Sequence, residues 1–156
     1  MKLFIIAVGN KLPDWINSGY NEYIKRLPRE IMINLIEVKP EKRTAGKSVE
    51  QLLSSEYQRI KIAMPPQCQI KVLDERGQHR STKEFALALQ EWMVRGDPVA
   101  FVIGGADGLH HDIKSAGNEL IALSKLTLPH GLARVLLAEQ LYRAVSIIKN
   151  HPYHRE

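Results

Sequence analysis

The most constraining feature of this sequence is the recurrence of short, wholly apolar runs between helix-like segments. KLFIIAV at 2–8 and PVAFVIGG at 98–105 are rich in β-formers and show no polar face. Such runs mark strands covered on both sides, as in a parallel sheet between two helical layers. After the first run, Pro13 opens a segment with Trp15, Ile16, Tyr20, Tyr23, Ile24 and Leu27 at helical spacing, and Pro28 ends it. IMINLIEV at 31–38 reads as a second strand and KPEKRTAGK at 39–47 as a polar, basic loop. Ser48 with Gln51 has capping-box spacing ahead of a helix over about 49–64, closed by Pro65 and Pro66. CQIKVLD at 68–74 reads as a third strand and ERGQHR as a turn. Ser81 with Glu84 forms a second capping box before FALALQEWMV, and Gly96 suits the C-cap. A short helix is expected over HDIKSAGNE, a last short strand and a loop within 120–128, and a final helix over about 131–149. Five strands separated by helices predict an α/β fold, with a mostly parallel five-stranded sheet and helices on both faces. With no repeat or linker, residues 1–156 read as one domain.

No apolar run approaches the roughly 18 residues that a membrane span needs. LFIIAV is too short for a signal segment and no cleavage site follows it. A lone Cys68 cannot form an internal disulfide or anchor a zinc site by itself. A cytoplasmic protein is the simplest expectation. The net charge is +5, and seven bases stand against three acids between Lys25 and Lys47. That excess suits a polyanion such as RNA, or a solvated loop with no partner.

In an open parallel sheet, ligands sit beyond the carboxyl ends of the strands, so the loops after strands three, four and five matter most. GGADG at 104–108 lacks the Lys-Ser/Thr of a P-loop and the spacing of a dinucleotide fingerprint, so it is either a tight turn or a ligand loop. SKLTLPHG at 124–131 has few acid–base groups. It could wrap a flat ligand such as adenine, or simply connect to the next helix. Glu139 and Arg143 are four apart on the last helix, in the favourable order for a pair. His110 and His111 have no Cys and no obvious carboxylate cluster nearby in sequence, so no metal is expected. On these grounds the chain is expected to be an α/β domain for a nucleotide-like ligand, with nucleic acid as a candidate substrate.

The run LTLPHGLARVLLAEQLYRAVSIIKNHPYHRE, with KLFIIAVGNKLPDW at the start and FVIGGADGL between, closely resembles the RlmH family, bacterial methyltransferases of the SPOUT superfamily that act on 23S rRNA. The resemblance covers the whole chain. Some relatives carry Pro and Glu where this loop has Ala106 and Asp107. The family implies an α/β-knot with a C-terminal trefoil knot, a homodimer with composite active sites, and S-adenosylmethionine as donor. The acceptor it implies is N3 of a pseudouridine in 23S rRNA on the ribosome, with neither metal nor membrane. Carried over by motif, the cofactor site falls on Leu73, Gly104, Gly105, Ser124, Lys125, Leu126, Thr127, Leu128 and Pro129. The catalytic positions fall on Glu139, Arg143, Tyr153 and His154. A non-catalytic, ribosome-associated RNA-binding domain is the alternative.

Overall fold

A computed structural model describes residues 1–155. Five strands, β1 (Lys2–Val8), β2 (Met32–Val38), β3 (Gln69–His79), β4 (Val99–Ile103) and β5 (Glu119–Ala122), form one sheet in the order β2-β1-β4-β3-β5. Every pairing is parallel. The helices are α1 (Asp14–Ile24), α2 (Val49–Ala63), α3 (Thr82–Arg95), α4 (His111–Ala116) and α5 (His130–Ile148). The pleat divides the core in two. On β1, Leu3, Ile5 and Ala7 join residues of α1, α3 and α5, while Ile6 and Val8 join residues of α2 and α4. The wholly apolar strands thus reflect helices on both faces.

Both capping boxes form. Ser48 and Ser81 each accept the N–H of the residue three on, and Gln51 and Glu84 reach back to the cap N–H. Gly96 takes the left-handed conformation, φ +79°, that ends α3.

Two expectations change. β4 stops at Ile103, so Gly104 and Gly105 belong to the following loop. ERGQHR is not a simple turn, because β3 continues to His79. Its pairing with β5 is interrupted, and Ile121 lies opposite both Leu73 and Gln78. The residues between leave the ladder as a short excursion and then rejoin it. Gly77 closes the neck. An added Cβ there would stand 2.6 Å from the Ile121 nitrogen and the Leu120 carbonyl carbon. The glycine is required by backbone meeting backbone rather than by a turn.

Gly77→Ala should therefore cost about 2–3 kcal/mol, the upper range for overpacking, because no flexible side chain can yield. Urea titration followed by circular dichroism measures it.

Candidate active site

The ends of β3, β4 and β5 converge on a cavity of about 480 Å³. The β3 excursion supplies Leu73, Asp74, Glu75 and Arg76, and the loop after β4 supplies residues 104–108. The segment after β5 adds Leu123, Ser124, Leu126, Thr127 and Leu128, and α5 closes one side with His130 and Ala133. Of the cofactor positions carried over by motif, Lys125 and Pro129 lie in the same segment but not in the wall. The excursion is the part that the sequence concealed, because a Gly among polar residues reads as a turn.

GGADG is a tight turn that also faces a cavity. The Gly108 N–H donates to the Gly105 carbonyl at 3.1 Å, and Gly108 has φ +78°, so the segment is a tight turn. The same residues line the cavity. A Cβ on Gly104 would lie 2.6 Å from the Gly108 carbonyl oxygen, and one on Gly105 would press Val8 at 3.2 Å. These glycines keep the turn flat against the sheet end.

Ion pairs brace the walls. Burial pushes the Asp74 carboxyl up, but hydrogen bonds from Lys114 and the Arg76 N–H outweigh it and hold it below the usual carboxylate range. The Thr127 hydroxyl donates to Glu75 at 2.8 Å, joining the excursion to the segment after β5. Arg43, from the basic loop, donates to Asp107 at 2.7 Å and to the buried Glu56 at 3.0 Å. That loop is accordingly not a run of free cations. Lys25 and Arg26 pair with Glu22, and Lys47 with Glu41. Among the described residues, Arg29, Lys39 and Lys42 have no ion pair.

The four catalytic positions carried over by motif meet in a separate cluster. Asn150, at φ +56°, ends α5: its N–H reaches the Ile147 carbonyl and that of His151 reaches Ser146 at 2.8 Å. This Schellman reversal turns the chain end back along the helix. Glu139 Oε1 then accepts Arg143 Nε at 2.7 Å and the Tyr153 hydroxyl at 3.2 Å. Arg143 Nη1 lies 3.2 Å from His154 Nδ1, and its guanidinium stands 4.7 Å from the Tyr153 ring centre. Burial first, then the Glu139 charge, pushes the Tyr153 hydroxyl up, so it stays protonated at neutral pH. None of these four residues lines the cavity of its own chain. Glu156, which ends the sequence motif, lies outside the described residues.

At His110 and His111 the structure supplies a carboxylate that the sequence did not suggest. Glu50 Oε1 is 2.6 Å from His110 Nε2. His110 Nδ1 accepts the Asp112 N–H as the cap of α4, which places the ring proton on Nε2, toward Glu50. Glu50, His110 and His111 each bring one possible ligand atom within 4.8 Å of the others. Among the described residues, no helix is long and apolar enough to cross a membrane.

The model of a family described as "Predicted SPOUT methyltransferase" matches residues 1–154. The chain is 61% identical over 155 residues to the ribosomal RNA large subunit methyltransferase H of Nitrosomonas eutropha, covering 99% of each. To the protein of the same name from Nitrosospira multiformis it is 56% identical, again over 99% of each. Among solved structures, one titled as a probable methylase family protein from Haemophilus influenzae superposes with a TM-score of 0.60 at 14% identity. That match covers 99% of this chain and 70% of the other, a likeness of fold.

Arg43→Ala should cost about 2 kcal/mol, because it strips a charged hydrogen bond from the buried Glu56. Lys42→Glu should leave stability unchanged. Urea denaturation of the two variants checks the contrast.

Proposed function

The chain belongs to the RlmH family of SPOUT methyltransferases, and on that premise we propose that it methylates large-subunit ribosomal RNA. The donor in this reading is S-adenosylmethionine and the acceptor is N3 of a pseudouridine in 23S rRNA, modified on the ribosome in the cytoplasm. The observation that carries it is the convergence of the motif-matched loops on one cavity. At about 480 Å³ its volume lies within the roughly 300–1,000 Å³ usual for ligand sites. The donor fits the residues present. Leu73, Leu126 and Leu128 offer an apolar wall for adenine, and the flat glycine turn permits close backbone approach. Bound there, S-adenosylmethionine would supply an electrophilic methyl group on a positively charged sulfur.

The acceptor nitrogen keeps its proton at neutral pH and must lose it as the methyl is taken. His154, whose Nδ1 faces Arg143 Nη1 at 3.2 Å, would accept that proton at Nδ1 once the guanidinium turns to the acceptor base. Arg143 would donate through its N–H groups to the carbonyl oxygens on which the negative charge collects, and Tyr153 would do so only by giving up its single O–H bond to Glu139. Glu139 holds both by accepting from each. Since the tail cluster stands apart from the cavity of its own chain, we assign it to the cavity of a partner subunit in a homodimer. The half-exposed Leu132, Val135 and Leu136 of α5 and the exposed Trp15 supply an apolar face for that partner. The C-terminal knot of the family belongs to the same reading. It is supported by the backbone contact at Gly77 and by the return of α5 from the edge strand β5 to pack on α1. Of the bases from Lys25 to Lys47, Arg29, Lys39 and Lys42, without an ion pair among the described residues, would meet RNA phosphates.

Titration calorimetry with S-adenosylmethionine should give one site per chain, and Leu128→Asp should weaken it at least tenfold. An intact protein that binds no donor would point to the non-catalytic RNA-binding alternative. Deleting residues 153–156 should leave donor affinity unchanged and abolish ribosome methylation, read as tritium incorporation. In mixed dimers of a tail-less subunit with a Leu128→Asp subunit, about half the activity should return. No recovery would mean that each tail serves its own subunit.

A further inference from the structure

A second cavity, of about 210 Å³, lies between α3, β5 and α5. Resting on the methyl-transfer reading, we infer that it receives the uracil-type base of the RNA acceptor. Its position comes first: Leu123 lines both this cavity and the donor cavity, so one side chain separates the two. Methyl transfer requires donor and acceptor to be neighbours held in line. Its size is next, since it is smaller than the roughly 300 Å³ at which ligand sites usually begin and suits a single flat ring. Phe85, Leu123 and Leu136 make the walls apolar, as the faces of a base require.

The polar groups gather at Arg80, Thr82 and Gln140. The Thr82 hydroxyl donates to Gln140 Oε1 at 2.9 Å, and Gln140 Nε2 donates to Glu139 Oε2 at 2.7 Å. These two partners determine which way the amide faces and leave its second N–H unspent. Arg80 binds Glu119 and Gln78 through Nη2, while its Nη1 is buried with no partner among the described residues. The Gln140 amide therefore offers a spare donor on the cavity wall where a uracil-type base presents a carbonyl oxygen. The amino group of cytosine would face a donor instead. Donors to a carbonyl beside N3 also hold the negative charge that appears when N3 loses its proton. Through Glu139 the same amide touches the group that aims Arg143 and Tyr153.

The test uses large ribosomal subunits rebuilt with 23S rRNA that carries 4-thiouridine at the methylated position. These are mixed with the full-length protein and S-adenosylhomocysteine, then irradiated. Crosslinked peptides should come from 82–85 or 136–140, and crosslinks to neither segment overturn the inference. Gln140→Leu should lower kcat/KM for ribosome methylation at least tenfold while S-adenosylmethionine affinity stays within twofold. A folded variant at the wild-type rate also counts against the inference. Wild-type protein that neither binds the donor nor methylates ribosomes would overturn the methyl-transfer reading itself, a result visible before any crosslink is made.

Discussion

The buried guanidinium of Arg134 ties the last helix to the first two strands. Its side chain is 1% exposed, with Nη1 3.0 Å from Glu37 on β2 and Nη2 reaching the Gly9 carbonyl after β1. Beside it, burial pushes the Tyr20 hydroxyl up to about 12, so α1 meets the guanidinium with a neutral ring. Such a pair adds little net stability over an apolar substitute, yet it permits only one arrangement, because a displaced charge would be left unpaired in the core. Much of the chemistry depends on this placement. α5 closes the larger cavity with His130 and Ala133 and walls the second cavity with Leu136 and Gln140. It also carries Glu139 and Arg143, on which the tail is folded.

The cavity at the strand ends is shaped as much by missing side chains as by present ones. Gly77 lets the β3 excursion close against β5, and Gly104 lets the turn after β4 fold against itself. In both places the close neighbour is backbone, which cannot move aside. Ion pairs hold the open edges instead: Arg43 ties the basic loop to Asp107 in the glycine turn, and Lys114 ties α4 to Asp74. The loop that carries the basic excess is thereby joined to the cavity wall. Arg43 and Lys47 are spent on acids, while Lys39 and Lys42 have no ion pair among the described residues.

On α5 two neighbouring side chains face different tasks. Gln140 looks into the second cavity of its own chain, while Glu139 holds the tail through Arg143 and Tyr153. A single hydrogen bond between them, 2.7 Å long, connects the two environments. In the proposed dimer, this couples the acceptor pocket of one subunit to the tail that completes the site of the other.

Local rules made much of this legible in the sequence. The uninterrupted apolarity of 2–8 and 98–105 implied burial on both faces. Ser48 with Gln51 and Ser81 with Glu84 specified two helix starts through contacts three residues apart. The rule that ligands lie beyond strand ends pointed to the loops that meet at one cavity, and seven of the nine cofactor positions carried over by motif line it. What remained hidden depends on residues far apart in the chain. ERGQHR looked like a turn because nothing near it reveals that Gly77 faces the backbone of Ile121. Arg134 sat unnoticed in an apolar run, and Glu50 could not be paired with His110 across sixty positions. The sequence alone determined the elements, their caps and the loops that carry the site, because those follow from periodicity and short-range hydrogen bonding. Only the tertiary structure decided which glycines are sterically required, which charges are spent on one another, and that the tail stands apart from its own cavity. Those outcomes are set by distances between segments that sequence separation does not encode.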